Sequence, residues 1–92
     1  MDIRVLEYFL AVAREQTISG AAMSLHMTQP PLSKQLMELE RELGKQLFLR
    51  GKRRITLTKE GMLLRKRAEE IVSLVEKTKA EVSAPDEGIS GD

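Results

Sequence analysis

The chain has no cysteine, one histidine and only three aromatic residues in 92. Without cysteine there is no disulfide and no thiolate metal site. His26 stands alone among scattered carboxylates, so no metal-ligand spacing is present. No apolar run approaches the ~20 residues needed to span a bilayer. Met1-Asp2 opens directly into a helical pattern, which gives no sign of a signal peptide. A soluble, cytoplasmic chain is therefore the expectation. No nucleophile–base set and no phosphate-binding loop can be found. A domain this small also leaves little room for a pocket of ~300 Å³ or more, so an enzyme is not expected. The length suits one small domain, marginally stable alone.

Net charge is also scarce, at +1, but that figure hides a pattern. Residues 1–33 carry two Lys/Arg against three Asp/Glu. Residues 34–67 carry eleven against four, and residues 68–92 carry two against seven. A basic block thus sits between two acidic ends. Clustered cations of this kind are an electrostatic footprint for a polyanion.

Along the chain, Asp2 can cap a first helix in which Leu6, Phe9, Leu10 and Ala13 recur at helical spacing to about Glu15. At that spacing Tyr8 and Phe9 belong to the core. Gln16-Thr17 breaks the pattern. A second helix opens at Ile18-Ser19-Gly20, with Ser19 as the expected N-cap and Ile18 stapled against Met23. Ala21, Ala22 and Leu25 form its buried side, and His26-Met27 turns the chain.

A third helix covers residues 28–43. Leu32, Leu36, Leu39 and Leu43 mark its buried face. At ~100° per residue, Gln29, Pro30, Ser33, Lys34, Met37 and Arg41 fall on an acid-free polar and basic strip, away from Glu38 and Glu42. Thr28 is the expected N-cap, its hydroxyl accepting a first-turn N–H. Pro30 and Pro31 stiffen the entry, where proline is tolerated. A rigid helix start with short polar side chains suits close approach to base edges and phosphates in a major groove.

Gly44 is the expected end of that helix. Residues 47–49 and 55–57 read as two short strands around a basic tip of Arg50, Lys52, Arg53 and Arg54. Beside a helix-turn-helix this is a wing, suited to phosphate contact or minor-groove entry. Thr58 caps a last helix over residues 59–82. Its apolar stripe runs Leu64, Ala68, Ile71, Val75, Thr78, Val82, a heptad pattern longer than a small core can cover. Pairing with a second copy is the economical reading. SAPDEGISGD, residues 83–92, has the composition of a hinge, and a further domain beyond it is expected.

These features resemble the N-terminal DNA-binding domain of LysR-type transcriptional regulators, over about residues 1–82. The resemblance rests on YFLAVA in the first helix, on ISGAAMSLHMTQPPLSKQLMELERELGKQLFLR, and on RRITLTKEG. Ala21, Ala22, Leu25, Gln29, Pro30, Leu32, Ser33, Gln35, Leu39, Glu40, Leu43, Gly44, Leu47, Phe48, Arg50, Leu57, Thr58 and Gly61 stand in the family's register.

The resemblance implies a mostly α, winged helix-turn-helix domain over residues 1–58: a three-helix core with a two-stranded wing. The helix-turn-helix would span about 18–37 and the wing about 47–57. A linker helix over 59–82 would dimerise antiparallel with its copy. It also implies an effector-binding domain after the hinge. A small-molecule co-inducer would bind there, and no cofactor is expected in residues 1–92. The implied partners are double-stranded DNA and a second copy, or a higher oligomer in the full-length protein, with no membrane. Gln29, Pro30, Ser33 and Lys34 would lie in the major groove, Ser19 and Thr28 would touch phosphate, and Arg50 and Arg53 would act from the wing. Pro31, Lys52 and Arg54 complete the candidate DNA-contacting set. Lys34 stands where arginine is usual and lacks its bidentate fork. Pro31 stands where a smaller alanine is usual. A winged helix used only for protein interaction is the competing reading, and it leaves the basic block unexplained.

Overall fold

The computed structural model describes residues 1–85. In chain order it has α1 (Ile3–Glu15), α2 (Ile18–Leu25), α3 (Gln29–Leu43), β1 (Phe48–Arg50), β2 (Ile55–Leu57) and α4 (Lys59–Val82). The two strands pair antiparallel, with Phe48 opposite Leu57 and Arg50 opposite Ile55. This is the winged helix-turn-helix that the pattern predicts.

The core gathers one face from each of the first three helices and the start of the wing. Phe9, Val12, Leu32, Leu36, Leu39 and Leu47 are its largest fully buried side chains. Ala21 and Ala22 are buried too, and their small size lets α2 lie close to its neighbours. Phe9 and Phe48 pack with ring centroids 5.3 Å apart and tilted by 43°, an offset geometry that aromatic pairs favour. Leu43, expected in the core, is 38% exposed. It closes the last turn of α3, and Gly44 at φ 67° then turns the chain away.

Helix starts follow one rule with one exception. The Asp2 carboxylate accepts from Val5 N–H at 3.0 Å. The Thr17 hydroxyl accepts from Gly20 N–H at 3.0 Å, and the Thr58 hydroxyl from Gly61 N–H at 3.0 Å. In each case the donor is the third helical residue, the usual partner of an N-cap side chain. Thr17, not Ser19, therefore caps α2, and Ser19 is already its second residue. The expected staple is also absent: Ile18 packs on the core and Met23 is 78% exposed. A Cβ on Gly20 would lie 2.8 Å from the capping Thr17 hydroxyl, so a side chain there would push the cap aside.

The exception is α3. Thr28 is its N-cap residue but makes no side-chain capping bond. The second and third helical residues are Pro30 and Pro31, which have no N–H to donate. The expected cap fails for that reason. The proline pair removes the donors that needed a partner, and the Thr28 hydroxyl is left free.

The link from α3 to the wing is held on both sides. One Glu40 carboxylate oxygen accepts Leu47 N–H at 2.7 Å and Phe48 N–H at 3.3 Å. Thr58 N–H donates to the Leu47 carbonyl at 3.0 Å, and the Thr58 hydroxyl donates to the Gln46 carbonyl at 2.6 Å. Thr58 stands opposite Leu47 in the hairpin register, so its N–H makes one cross-strand bond there. The Leu47 N–H goes to Glu40 instead of returning the second, and β1 begins at Phe48 rather than at 47. Ile55 N–H donates to the Gln16 carbonyl at 2.8 Å, which ties β2 to the α1–α2 turn.

The start of α4 packs into this assembly. Gly61 is buried, Leu64 packs against the core and Ala68 is fully buried. Those two members of the apolar stripe serve their own subunit rather than a free face. Beyond them α4 projects, and the molecule measures 57 × 26 × 19 Å.

Two sets of stability measurements check these contacts. A Cβ on Gly61 would run into the Leu47 carbonyl oxygen and carbon, which are backbone and cannot swing aside. Gly61→Ala is expected to cost about 1–3 kcal/mol by overpacking, seen as a lowered urea midpoint at fixed protein concentration. In the same assay Thr17→Ala should cost roughly 1 kcal/mol through the lost cap. Thr28→Ala should stay within about 0.5 kcal/mol of the parent. A Thr28 penalty equal to that of Thr17 would contradict the role given to the proline pair.

Candidate nucleic-acid interface

On α3 the buried leucines turn the opposite side outward. Gln29, Pro30, Lys34, Met37 and Arg41 are exposed and Ser33 is half-buried. Glu38 and Glu42 are exposed on the far flank. By helical geometry, at about 100° per residue, Pro31 lies on the Glu38 side rather than beside Ser33. Its clearest consequence is the uncapped Thr28.

The helix-turn-helix brings two sequence-distant hydroxyls together. Ser19, Met23, Thr28, Gln29 and Pro30 line one open groove between α2 and the start of α3. His26, at φ 57°, ends α2 and sharpens the turn that makes this possible. Ser19, as the second residue of α2, and Thr28, freed from capping, both present hydroxyls that no hydrogen bond among the described residues engages. Arg14 reaches across from α1 to donate to the Ser24 hydroxyl at 2.9 Å, bracing α2 from behind.

The wing tip is closed by Gly51 N–H donating to the Arg54 carbonyl at 2.9 Å. A Cβ on Gly51 would lie 2.9 Å from that same carbonyl oxygen. Arg50, Lys52, Arg53 and Arg54 are all exposed. Among the described residues none of the four is in an ion pair. The tip shares a groove with Gln16, Thr17 and Ile18. Its inner side, through Leu49 and Arg50, shares another with Met37 and Glu40. The α3 strip is thus flanked by Ser19 at one end and by the wing along one edge.

Four uncompensated cations beside an acid-free helix strip make a surface that attracts phosphates and can place short polar groups near them. Two apolar contributors were not singled out as contacts from sequence. Met23 is exposed in the Ser19–Thr28 groove, and Met37 lies on the strip itself. Met23 follows Ser19 by one helical turn, a spacing that could have marked it.

On α4, Ile71, Leu74, Val75 and Thr78 line an apolar groove on the projecting part. Leu74, 62% exposed, was missing from the expected stripe. A strict heptad omits it, but it widens the same face. The described residues hold no group of side chains suited to a metal ion and no helix long and apolar enough to cross a membrane.

Comparison with known proteins agrees with this surface. Residues 3–62 match the family model described as bacterial regulatory helix-turn-helix protein, lysR family. The chain is 51% identical over 92 residues to the HTH-type transcriptional regulator BsdA of Bacillus subtilis. The match covers 99% of this chain and 32% of that protein, so the chain spans about a third of its relative's length. Among solved structures it is similar to the BenM DNA-binding domain in complex with catB site 1 DNA. There the TM-score is 0.87 at 41% identity, covering 89% of this chain and 91% of that one. It is equally similar to the CbnR DNA-binding domain–DNA complex, with a TM-score of 0.87 at 37% identity over 91% of this chain and 97% of that one. The chain belongs to the lysR family of bacterial regulatory helix-turn-helix proteins, and its winged helix is the DNA-binding domain of a LysR-type transcription regulator.

Proposed function

We propose that this domain binds double-stranded DNA as one half of a dimer. The start of α3 enters the major groove and the wing lies on the adjacent backbone or in the minor groove. The observation that carries the reading is the exposure of the acid-free α3 strip beside a wing whose four cations have no ion-pair partner among the described residues, the two elements sharing a groove through Met37, Leu49 and Arg50. A module used only for protein interaction gives those cations no task. The BenM and CbnR relatives solved with DNA support the same reading.

Within it, Gln29, Pro30, Ser33 and Lys34 meet base edges. Ser19 and Thr28 hold a phosphate between α2 and α3. Arg50, Lys52, Arg53 and Arg54 neutralise phosphates from the wing, and Pro31 keeps the Thr28 hydroxyl available. Lysine at position 34 supplies a charge without a fork, so base discrimination rests more on Gln29 and Ser33.

The projecting part of α4 pairs with its copy. Ile71, Leu74, Val75 and Thr78 present the apolar groove and Val82 is fully outward, a face wider than the strict heptad. Charge favours the antiparallel arrangement. Lys59, Arg65, Lys66 and Arg67 dominate the first part of the helix, whereas Glu69, Glu70, Glu76 and Glu81 dominate the second. A parallel pair would oppose like charges, and an antiparallel pair opposes unlike ones. Residues 1–58 then form the reading head and 59–82 the linker. Residues 83–92 lead to an effector-binding domain that takes the co-inducer, and residues 86–92 lie outside the described part.

Two experiments test this. Duplexes selected from a random pool and scrambled duplexes are titrated at several salt concentrations. Gln29→Ala or Ser33→Ala should lose roughly 1–3 kcal/mol of discrimination between them. Arg53→Ala should weaken both and lower the salt slope by about 1. Equal losses on both duplexes for Gln29→Ala would contradict its place at the bases. Separately, Ile71→Glu should sediment as a monomer and bind DNA much more weakly. An unchanged mass would refute the α4 pairing.

A further inference from the structure

We propose that Glu40 is a positioning residue for DNA binding: its carboxylate fixes the wing at the distance and angle from α3 that allow both to engage one duplex. This deepens the reading above and rests on it.

A protein that reads one groove with a helix and touches a neighbouring one with a hairpin must hold the two at a set separation. A loosely tethered hairpin would have to be ordered again at each binding event, at a cost in affinity. The connection between α3 and β1 has no regular structure of its own over residues 45–47. It is short, exposed at Lys45 and Gln46, and hairpins this small are not stable alone.

What fixes it from the α3 side is Glu40. The residue lies at the edge between the buried leucines and the DNA-facing strip, by helical geometry about 60° from Met37. One of its carboxylate oxygens, Oε2, receives both Leu47 N–H and Phe48 N–H, at 2.7 and 3.3 Å. Charge-assisted bonds of this type are stronger than neutral ones. Both are part-buried, which protects them from competing water. No cation is paired with Glu40 among the described residues, so its charge is committed to those two amides. From Phe48 the ladder carries the constraint outward to Arg50 and the tip.

The sign of the effect makes the inference sharp. Glu40 is an acid bordering a surface that meets phosphates. If only its charge mattered, removing it would tighten DNA binding. If it positions the wing, removing the acceptor must weaken binding in spite of the charge gained. Glu40→Ala removes both charge and acceptor. Glu40→Gln removes the charge but keeps a carbonyl oxygen that can accept the same two N–H groups.

Both variants of the whole chain are titrated with a pool-selected duplex over a range of salt, alone and combined with Arg53→Ala. Folding is checked by circular dichroism at the assay temperature. Glu40→Ala should bind roughly tenfold more weakly, with the salt slope reduced by about 1–2 as wing phosphates are released. Glu40→Gln should restore the slope and bind at least as tightly as the parent. In the Arg53→Ala background the Glu40→Ala effect should shrink, because the two act through one element. Tighter or unchanged binding by Glu40→Ala overturns the proposal, as does a weaker affinity at the parent's slope, which marks a structural role only. Full additivity with Arg53→Ala overturns it too. If Arg53→Ala itself leaves the slope unchanged, the wing reading falls and the proposal with it. A slope change in Arg53→Ala without one in Glu40→Ala removes the proposal alone.

Discussion

The three residues through which the chain leaves the α3 link and enters the wing carry the architecture. The backbone at Gln46, Leu47 and Phe48 is gripped by Glu40 from α3 and by Thr58 from the start of α4. The Leu47 side chain fills the core while the Leu47 carbonyl lies where Gly61 has no side chain. Loosening this point would release the hold of α3 on the first strand, while α4 keeps its own packing through Leu64 and Ala68 and β2 keeps its bond to the Gln16 carbonyl. Most of the buried apolar surface would survive such a change. The relative placement of the α3 strip and the wing would not.

That placement matters because the two contact elements differ in chemistry. The α3 strip offers short polar groups at a stiff helix start, suited to base edges. The wing offers long cations on a tight tip, suited to phosphates whatever the sequence. In the function proposed above, selectivity and affinity are divided between these elements, and their rigid union makes one binding surface. The free Thr28 hydroxyl belongs to the same design. Two prolines abolish the donors that would have occupied it, so a residue that is a cap elsewhere in the fold becomes available to a ligand here.

α4 shows how one helix serves two environments. Up to Ala68 it is part of the domain core, and beyond it the apolar side chains face outward around Ile71 and Leu74. The heptad stripe in the sequence is continuous across this division. Periodicity reports that a face is covered, not whether the cover comes from the same subunit or another. Leu64 and Ala68 were therefore readable as apolar-face positions but not as core.

The sequence alone settled the elements and their order. Spacing of leucines, two prolines, Gly44 and the short strands around a basic tip are local signals, and local geometry obeys them. The spans of β2 and α4 matched, and β1 was displaced by one residue. The sequence even held the reason for the missing α3 cap, since Pro30 and Pro31 occupy both donor positions. Tertiary structure decided the rest. Thr17 rather than Ser19 became the α2 cap, because the choice depends on where the helix axis begins. The meeting of Ser19 with Thr28, and of Glu40 with Leu47, required the chain to fold back on itself. Such contacts are set by how faces pack across many residues of separation, and no local pattern encodes that distance.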